Sequence, residues 1–533
     1  MGKNEARRGR RGRDHLDATL DENEGHRGRL RRAAEGLALG GFAVYALAAP
    51  HSIAGSWMGL SAAVAGWLLR ALATGQTGFR RNPLDLPLWL FIAWTVLSAF
   101  LSVEPDESLP KLVNVSTFLM FYLAQGLLTR RAAIMLAAVL VASGAAGALW
   151  GMGELALGRG VVVRELKAES PLRAGTALGV GDAVWRVNKR RVGSAQEIDE
   201  AIRLTPVGER LSLSVITRGE HVEWAGPTVT ETLKRAASPS GIVGGGPTRS
   251  FRASGWTRHY ETFAEVLQMI AQLALGFALA SRQRRGGPPE ARTQSSEDGW
   301  DLARRARAAI PFAAFALLAA GVALTAMRTV LVAFAVGACV VMWRAGGRGR
   351  TRAALALAVL FVLGVGALAV WRTRADGALM LRDASASLRL QVARVAFERS
   401  LSRPVFGHGM DSVHRHWQEW GFPGTDMLHA HSTPLQIAFD RGLPALLLWL
   451  WLMYAFWRRA ARAERIRRES GDARAHGLAL GIMGALAGFL ASSLVNYNFG
   501  DAEVALLLWW LMGATVVLGR EKQTVTTAPE RRS

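Results

Sequence analysis

Long apolar runs alternate with short polar loops along most of the chain. They lie near residues 34–49, 53–73, 86–101, 112–128, 132–157, 262–280, 310–327, 330–343, 353–371, 443–457, 478–494 and 504–518. A bilayer-spanning helix needs ~20 apolar residues, so the pattern predicts about twelve transmembrane helices. The stretch 310–343 is too long for one span. Arg328 divides it, because a lone arginine at the bilayer centre is costly and marks an end or a function.

Two polar stretches interrupt this rhythm, at about 158–261 and 372–432. In the first, Val161-Val162-Val163 and Leu211 to Ile216 read as strands. Ser194 to Ile202 has helical spacing behind a serine cap. About seventy residues of mixed strand and helix make one small soluble domain. The expected order is a basic tail at 1–33, helices at 34–157, the small domain at 158–232 and a Ser/Pro/Gly-rich linker at 233–251. Helices follow at 252–371, a large outer loop at 372–434, helices at 435–519 and a second tail at 520–533.

Composition fits a membrane protein. Half of the 533 residues are hydrophobic and only 20% are charged, which excludes a simple soluble enzyme. The net charge is +22. In a soluble protein that excess would suggest nucleic acid. Here the basic clusters at Arg80-Arg81, Arg130-Arg131, Arg282 to Arg307, Arg344 to Arg352 and Arg458 to Arg474 fall on one side of the twelve alternating spans. Glu104, Asp106, Glu107, Asp501 and Glu503 fall on the other. This is the positive-inside pattern. It puts both termini in the cytoplasm and removes the case for nucleic acid. The single cysteine, Cys339, allows no internal disulfide and no Cys-based zinc site.

The outer side holds the candidate chemistry. Arg252, Arg328 and Arg389 each sit near an apolar run, where the positive-inside pattern gives arginine no role. Arginine presents a permanently charged planar fork suited to phosphate. Ser387 to Met410 contains Arg389 and Arg394 with Leu390, Val392, Val395 and Phe397, a pattern that predicts an amphipathic helix at the membrane surface. Five of the eleven histidines, His408, His414, His416, His429 and His431, crowd into one loop. Histidine moves protons near neutral pH. The His429-Ala430-His431 pair is compatible with a metal, but no third ligand stands at a recognised spacing, so neither metal nor cofactor is expected. His414 and His416 read as surface residues.

Two resemblances follow from these motifs. Ser170 to Asn188, with Gly181-Asp182 and Asn188, resembles a PDZ domain of the bacterial protease type. Lys189 stands where that pattern has glycine, which predicts a strained turn. The resemblance implies an extended peptide bound by strand addition, with Gly181 and Asp182 as candidate contacts; a spacer without ligand is the alternative. The segment from Arg252 to Leu518 resembles the O-antigen ligase-related family of membrane glycan transferases. Arg252 and Gly255, then Arg328, then Arg389 with Pro404, Gly407 and Gly409, then His429, His431, Leu435, Gln436, Asp440 and Gly442 follow its motifs in order. Ser432, Asp440 and Ala393 depart from the usual Asn, Glu and aromatic residue.

The fold expected is therefore an all-α polytopic membrane protein of about twelve transmembrane helices, with a large periplasmic loop and a small inserted α+β, PDZ-like domain. The family resemblance implies a bacterial inner-membrane enzyme with a periplasmic site. It would move a glycan from an undecaprenyl-diphosphate carrier to a hydroxyl, foremost that of the lipid A core. Arg252, Arg328 and Arg389 would hold the diphosphate, and His431, with His429 second, would be the base. Membrane lipids and a peptide at the PDZ-like domain complete the expected partners. Within the class, a polysaccharide polymerase or a protein O-glycan transferase shares the donor chemistry. An intramembrane protease is disfavoured because no H-E-x-x-H stands in a span. A transporter or flippase would show repeated span groups, and none is visible. A scaffold role is the remaining alternative.

Overall fold

The computed structural model describes residues 28–217, 220–257, 259–283, 298–346, 349, 384–424 and 428–520. Among these, six helices are long and apolar enough to cross a membrane: Ile53–Thr74, Arg130–Leu157, Tyr260–Ser281, Arg328–Ala345, Thr433–Glu469 and Ala473–Ser493. Four more apolar helices, Asp85–Phe100, Leu112–Leu127, Ala309–Leu324 and Ala502–Leu518, are shorter. At 16 and 17 residues, two of these reach only about 25 Å, less than a hydrocarbon core of ~30 Å. Four of the twelve expected runs thus form helices shorter than a span. The expected run at 353–371 lies outside the described residues. This is the make-up of a multi-pass membrane protein.

The chain forms two compact units. One comprises Met1–Ala145, Thr262–Ala319 and Met327–Ser533; the other comprises Ala146–Glu261 and Ala320–Ala326. The first is helical. Its helices approach through glycine faces, the device of closely packed membrane helices. Gly276 lies so near the Ala473–Ser493 helix that a Cβ would strike the backbone of Gly477 and Gly481. Thr433–Glu469 is two helices joined at Gly442, whose φ of 82° breaks the run before Pro444. Ala384–Ser402 buries Val392 and Ala396 but exposes Leu390 and Phe397. Its apolar residues thus lie on opposite faces, which corrects the expected single amphipathic stripe.

In the second unit six antiparallel strands form one sheet: β1 (Val161–Leu166), β2 (Ala183–Val187), β3 (Arg190–Arg191), β4 (Arg210–Thr217), β5 (Glu220–Thr228) and β6 (Ile242–Gly244). Their order is β5-β4-β2-β1-β6, with β3 paired to β2. Alternation of Val161, Val163, Leu211, Leu213 and Val215 buries one face beneath Ile198 and Ile202 of the Ala195–Leu204 helix. Ser194 caps that helix by accepting from the Glu197 N–H at 3.2 Å. Asn188 and Lys189 have φ of 47° and 68°, so a non-glycine residue does occupy the left-handed position where the sequence predicted strain.

Candidate active site

The histidine loop precedes the Thr433–Glu469 helix. Leu428 and His431 both have positive φ, 65° and 52°. Such conformations cost of order 1–3 kcal/mol each and persist only where the surroundings hold them. Here Gln436, one turn into the helix, accepts from the Ala430 N–H at 2.6 Å. It donates in turn to Asp440 Oδ1 at 2.8 Å. Gln436 and Asp440 are both 2% exposed. The residue between the two histidines is thus anchored to the helix interior.

The anchor brings His429 and His431 together, their ring centroids 4.3 Å apart. The His431 N–H donates to His429 Nδ1 at 3.3 Å. A neutral His429 ring therefore carries its proton on Nε2. His431 Nε2 is buried and accepts or donates no hydrogen bond. Burial, then the charges of His429 and Arg389, push the His431 pKa down to about 3. The ring is accordingly neutral at physiological pH, and Arg389 is close enough for its charge to be felt.

Leu428 and His429 border a cavity of about 220 Å³. His431 is not one of its wall residues. Phe91, Phe118, Phe499 and Trp509 supply aromatic walls. Lys111, Asp411, Gln436, Asp440, Arg441 and Tyr497 supply polar ones. Lys111 and Asp411 pair at 2.8 Å. Burial pushes the Tyr497 hydroxyl pKa up, so it stays protonated.

Two motifs that lie apart in sequence are one piece of packing. The His408 N–H donates to Phe439 O at 2.8 Å, the Gly409 N–H to Asp440 O at 2.9 Å, and the Leu443 N–H to Pro404 O at 2.7 Å. A Cβ on Gly407 would meet the Asp440 carbonyl carbon at 2.5 Å, and one on Gly442 would strike Val405 O. Pro404 to Gly409 thus lies against the break at Gly442, and the glycines permit that approach.

A buried polar network joins the helix ends around the loop. Glu265, 2% exposed, accepts from Ser492 Oγ, from Asn496 Nδ2 at 3.1 Å and from Asn498 Nδ2 at 3.4 Å. Asn496 also donates to Thr329 Oγ1 at 3.1 Å. Thr433 donates to Asn498 Oδ1 at 3.0 Å. Arg328, exposed at the start of its helix, is thereby one residue from a network that ends two residues after His431. Glu265, Asn496 and Asn498 were missed by sequence reasoning. The only signal was the polar cluster Ser492-Ser493…Asn496…Asn498 between two apolar runs.

The other predicted residues have separate places. Arg252 belongs to the sheet-bearing unit, with its guanidinium 4.5 Å from the Tyr260 ring. Gly181 and Asp182 build a turn: Asp182 Oδ2 accepts from the Gly179 N–H at 2.9 Å. His408 stacks on Phe439, and burial lowers its pKa. His416 is no surface residue. It pairs with Glu419 at 2.6 Å and Glu104 at 3.0 Å and stacks on Trp420; the hydrogen bond to Glu419 leads in raising its pKa, with Glu104 adding to it. Among the described residues no group of three His, Cys, Asp or Glu side chains is arranged to hold a metal.

Residues 313–450 match the O-antigen ligase family model, Wzy_C. No curated protein matches the chain significantly. The ligase match contains Arg328, Arg389, both paired histidines, Gln436, Asp440 and Gly442. Arg252, Glu265, Asn496 and Asn498 lie outside it.

Proposed function

We propose that this chain is a membrane glycan transferase of the O-antigen ligase type, acting on the periplasmic face of a bacterial inner membrane. The observation that carries it is the His429–His431 pair of the ligase-matched segment, under the charge of Arg389, with His429 bordering a mixed aromatic and polar cavity. Aromatic walls with interspersed carboxylate, amide and cationic groups suit a sugar ring.

The donor is a glycan on a polyprenyl diphosphate, and the acceptor is a hydroxyl, foremost on the lipid A core. The acceptor oxygen attacks the anomeric carbon and its proton passes to His431 Nε2. The bond from that carbon to the diphosphate oxygen breaks, and the diphosphate leaves with the electron pair. Arg389 and Arg328 offset the charge that develops there. His431 is a weak base while the positive charge of Arg389 acts on it. A bound diphosphate neutralises that cation and adds negative charge, so the proton affinity of His431 rises when substrate arrives. His429, protonated on Nε2 when neutral, is a hydrogen-bond donor. Gln436 and Asp440 are positioning residues, acting through Ala430. The scheme calls on no cofactor.

The test is an envelope glycan profile from cells carrying wild type, His431→Ala, Arg389→Ala or Arg328→Ala at matched membrane levels. Loss of polymer-capped lipid A core, with carrier-linked glycan accumulating, is expected. Shortened polymer or lost glycoprotein instead keeps the donor chemistry and changes the acceptor. An unchanged profile sinks the assignment.

A further inference from the structure

In the sheet-bearing unit, β1 is paired on both edges. On one edge of β1, the Val163 N–H donates to Asp182 O at 2.8 Å and Val163 O accepts from the Gly181 N–H at 2.9 Å. The pair expected to contact a peptide is thus spent on the sheet itself.

The other edge is covered by residues 240–248 of the same chain. The Gly245 N–H donates to Val162 O at 2.7 Å and the Lys167 N–H to Gly241 O at 2.9 Å. Arg159 and Thr248 exchange both backbone bonds, at 2.8 and 3.0 Å. The segment also touches the Ala195–Leu204 helix. The Ser240 N–H donates to Asp199 Oδ1 at 2.8 Å. A Cβ on Gly244 would meet Val161 Cγ1 at 2.7 Å and Ala195 Cβ at 3.1 Å. Ile242, 5% exposed, belongs to the same core as Val161, Val163, Ile198 and Ile202.

We infer that the groove between β1 and the Ala195–Leu204 helix is a strand-addition peptide site, and that residues 240–248 are its ligand in cis. Strand addition takes its affinity from main-chain hydrogen bonds and its specificity from alternate side-chain pockets. Both are present here, supplied by a tethered segment at high effective concentration. The segment Ser-Gly-Ile-Val-Gly-Gly-Gly also states the kind of partner that fits. It is an uncharged extended peptide with one buried aliphatic residue, and glycine two positions later where a Cβ does not fit. An outside peptide enters only when the cis segment leaves.

The test uses the full chain in lipid nanodiscs and a fluorescein-labelled Ser-Gly-Ile-Val-Gly-Gly-Gly peptide, read by anisotropy. Gly244→Val expels the cis segment and should bind the peptide at least ~10-fold more tightly than wild type, because the tethered competitor is gone. Glu165→Cys with Val243→Cys, in a Cys339→Ala background, locks the facing pair Glu165 and Val243. Once oxidised it should bind no peptide, and reduction should restore the wild-type level. Equal binding by wild type and Gly244→Val overturns the cis occupancy. So does peptide binding by the oxidised double cysteine, which keeps the test decisive even if Gly244→Val does not fold. Absent binding by Gly244→Val, with hydrogen exchange showing 241–248 released, overturns the peptide site itself.

Discussion

His221 and His431 invite comparison. Each carries a pKa pushed well down, to about 4 and about 3, by burial first and nearby positive charge second. Each has a buried Nε2 without a hydrogen bond. In His221 the charges are those of Arg159 and Arg186, and the ring is stacked on Trp185, 5.2 Å away, within the sheet-bearing unit. His431 faces a second imidazole that borders a cavity, beside an arginine. A depressed pKa therefore marks burial near cations and nothing more. The cavity and the partner histidine are what make one of these a candidate base.

Substitution at the two positions separates them most sharply. His431→Ala should cut glycan transfer by ~100-fold or more, the usual range for a lost general base, whereas His221→Phe should leave transfer within about 2-fold. A transfer assay with purified protein and carrier-linked glycan measures both. Equal losses would erase the distinction.

Gln436→Ala should come next. It leaves the Ala430 N–H and buried Asp440 without their partner, costing about 1–3 kcal/mol of stability. It should also lower kcat more than KM, with Gln436→Glu restoring part of the loss. A loss of melting temperature with kcat unchanged would reduce Gln436 to a structural role.

The titration of stability gives a third contrast. A histidine whose folded pKa is lowered contributes stability that is full above its unfolded pKa, ~6.5, and is lost as pH falls toward the folded value. His221 and His431 should therefore weaken the fold between about pH 6.5 and their respective values near 4 and 3. The pKa of His416 is raised, so its contribution is full below ~6.5 and fades as pH rises through the folded value. Melting temperatures across pH should lose part of the acid-side slope in His221→Phe and part of the alkaline-side slope in His416→Gln.

Lys189→Gly should give the smallest effect, a gain of up to ~1 kcal/mol from relief of the left-handed position, with transfer unchanged. The same replacement at His431, where φ is also positive, should abolish activity. Positive φ at the hairpin is conformational only; at the histidine loop it carries a functional side chain.

Much was legible in the chain itself. Apolar runs long enough to span a bilayer, the break at Arg328, the serine-capped Ala195–Leu204 helix and the alternating strands follow from local periodicity and capping. The left-handed position at Lys189 followed from the glycine that the resembled pattern has there. The paired histidines and Gln436 stood together only through the family motif, since the histidines lie in a loop ahead of the helix that carries Gln436. Other features were decided only by tertiary structure. Glu265 reads as an ordinary charge in an apolar run; its partners at 492, 496 and 498 are more than two hundred residues away. Pro404 to Gly409 and Gly442 read as separate motifs until backbone hydrogen bonds joined them. His416 looked like a surface residue until Glu104, from a distant loop, came within 3.0 Å. Residues 240–248 looked like a linker, since a glycine-rich segment becomes a strand only when another strand offers it an edge.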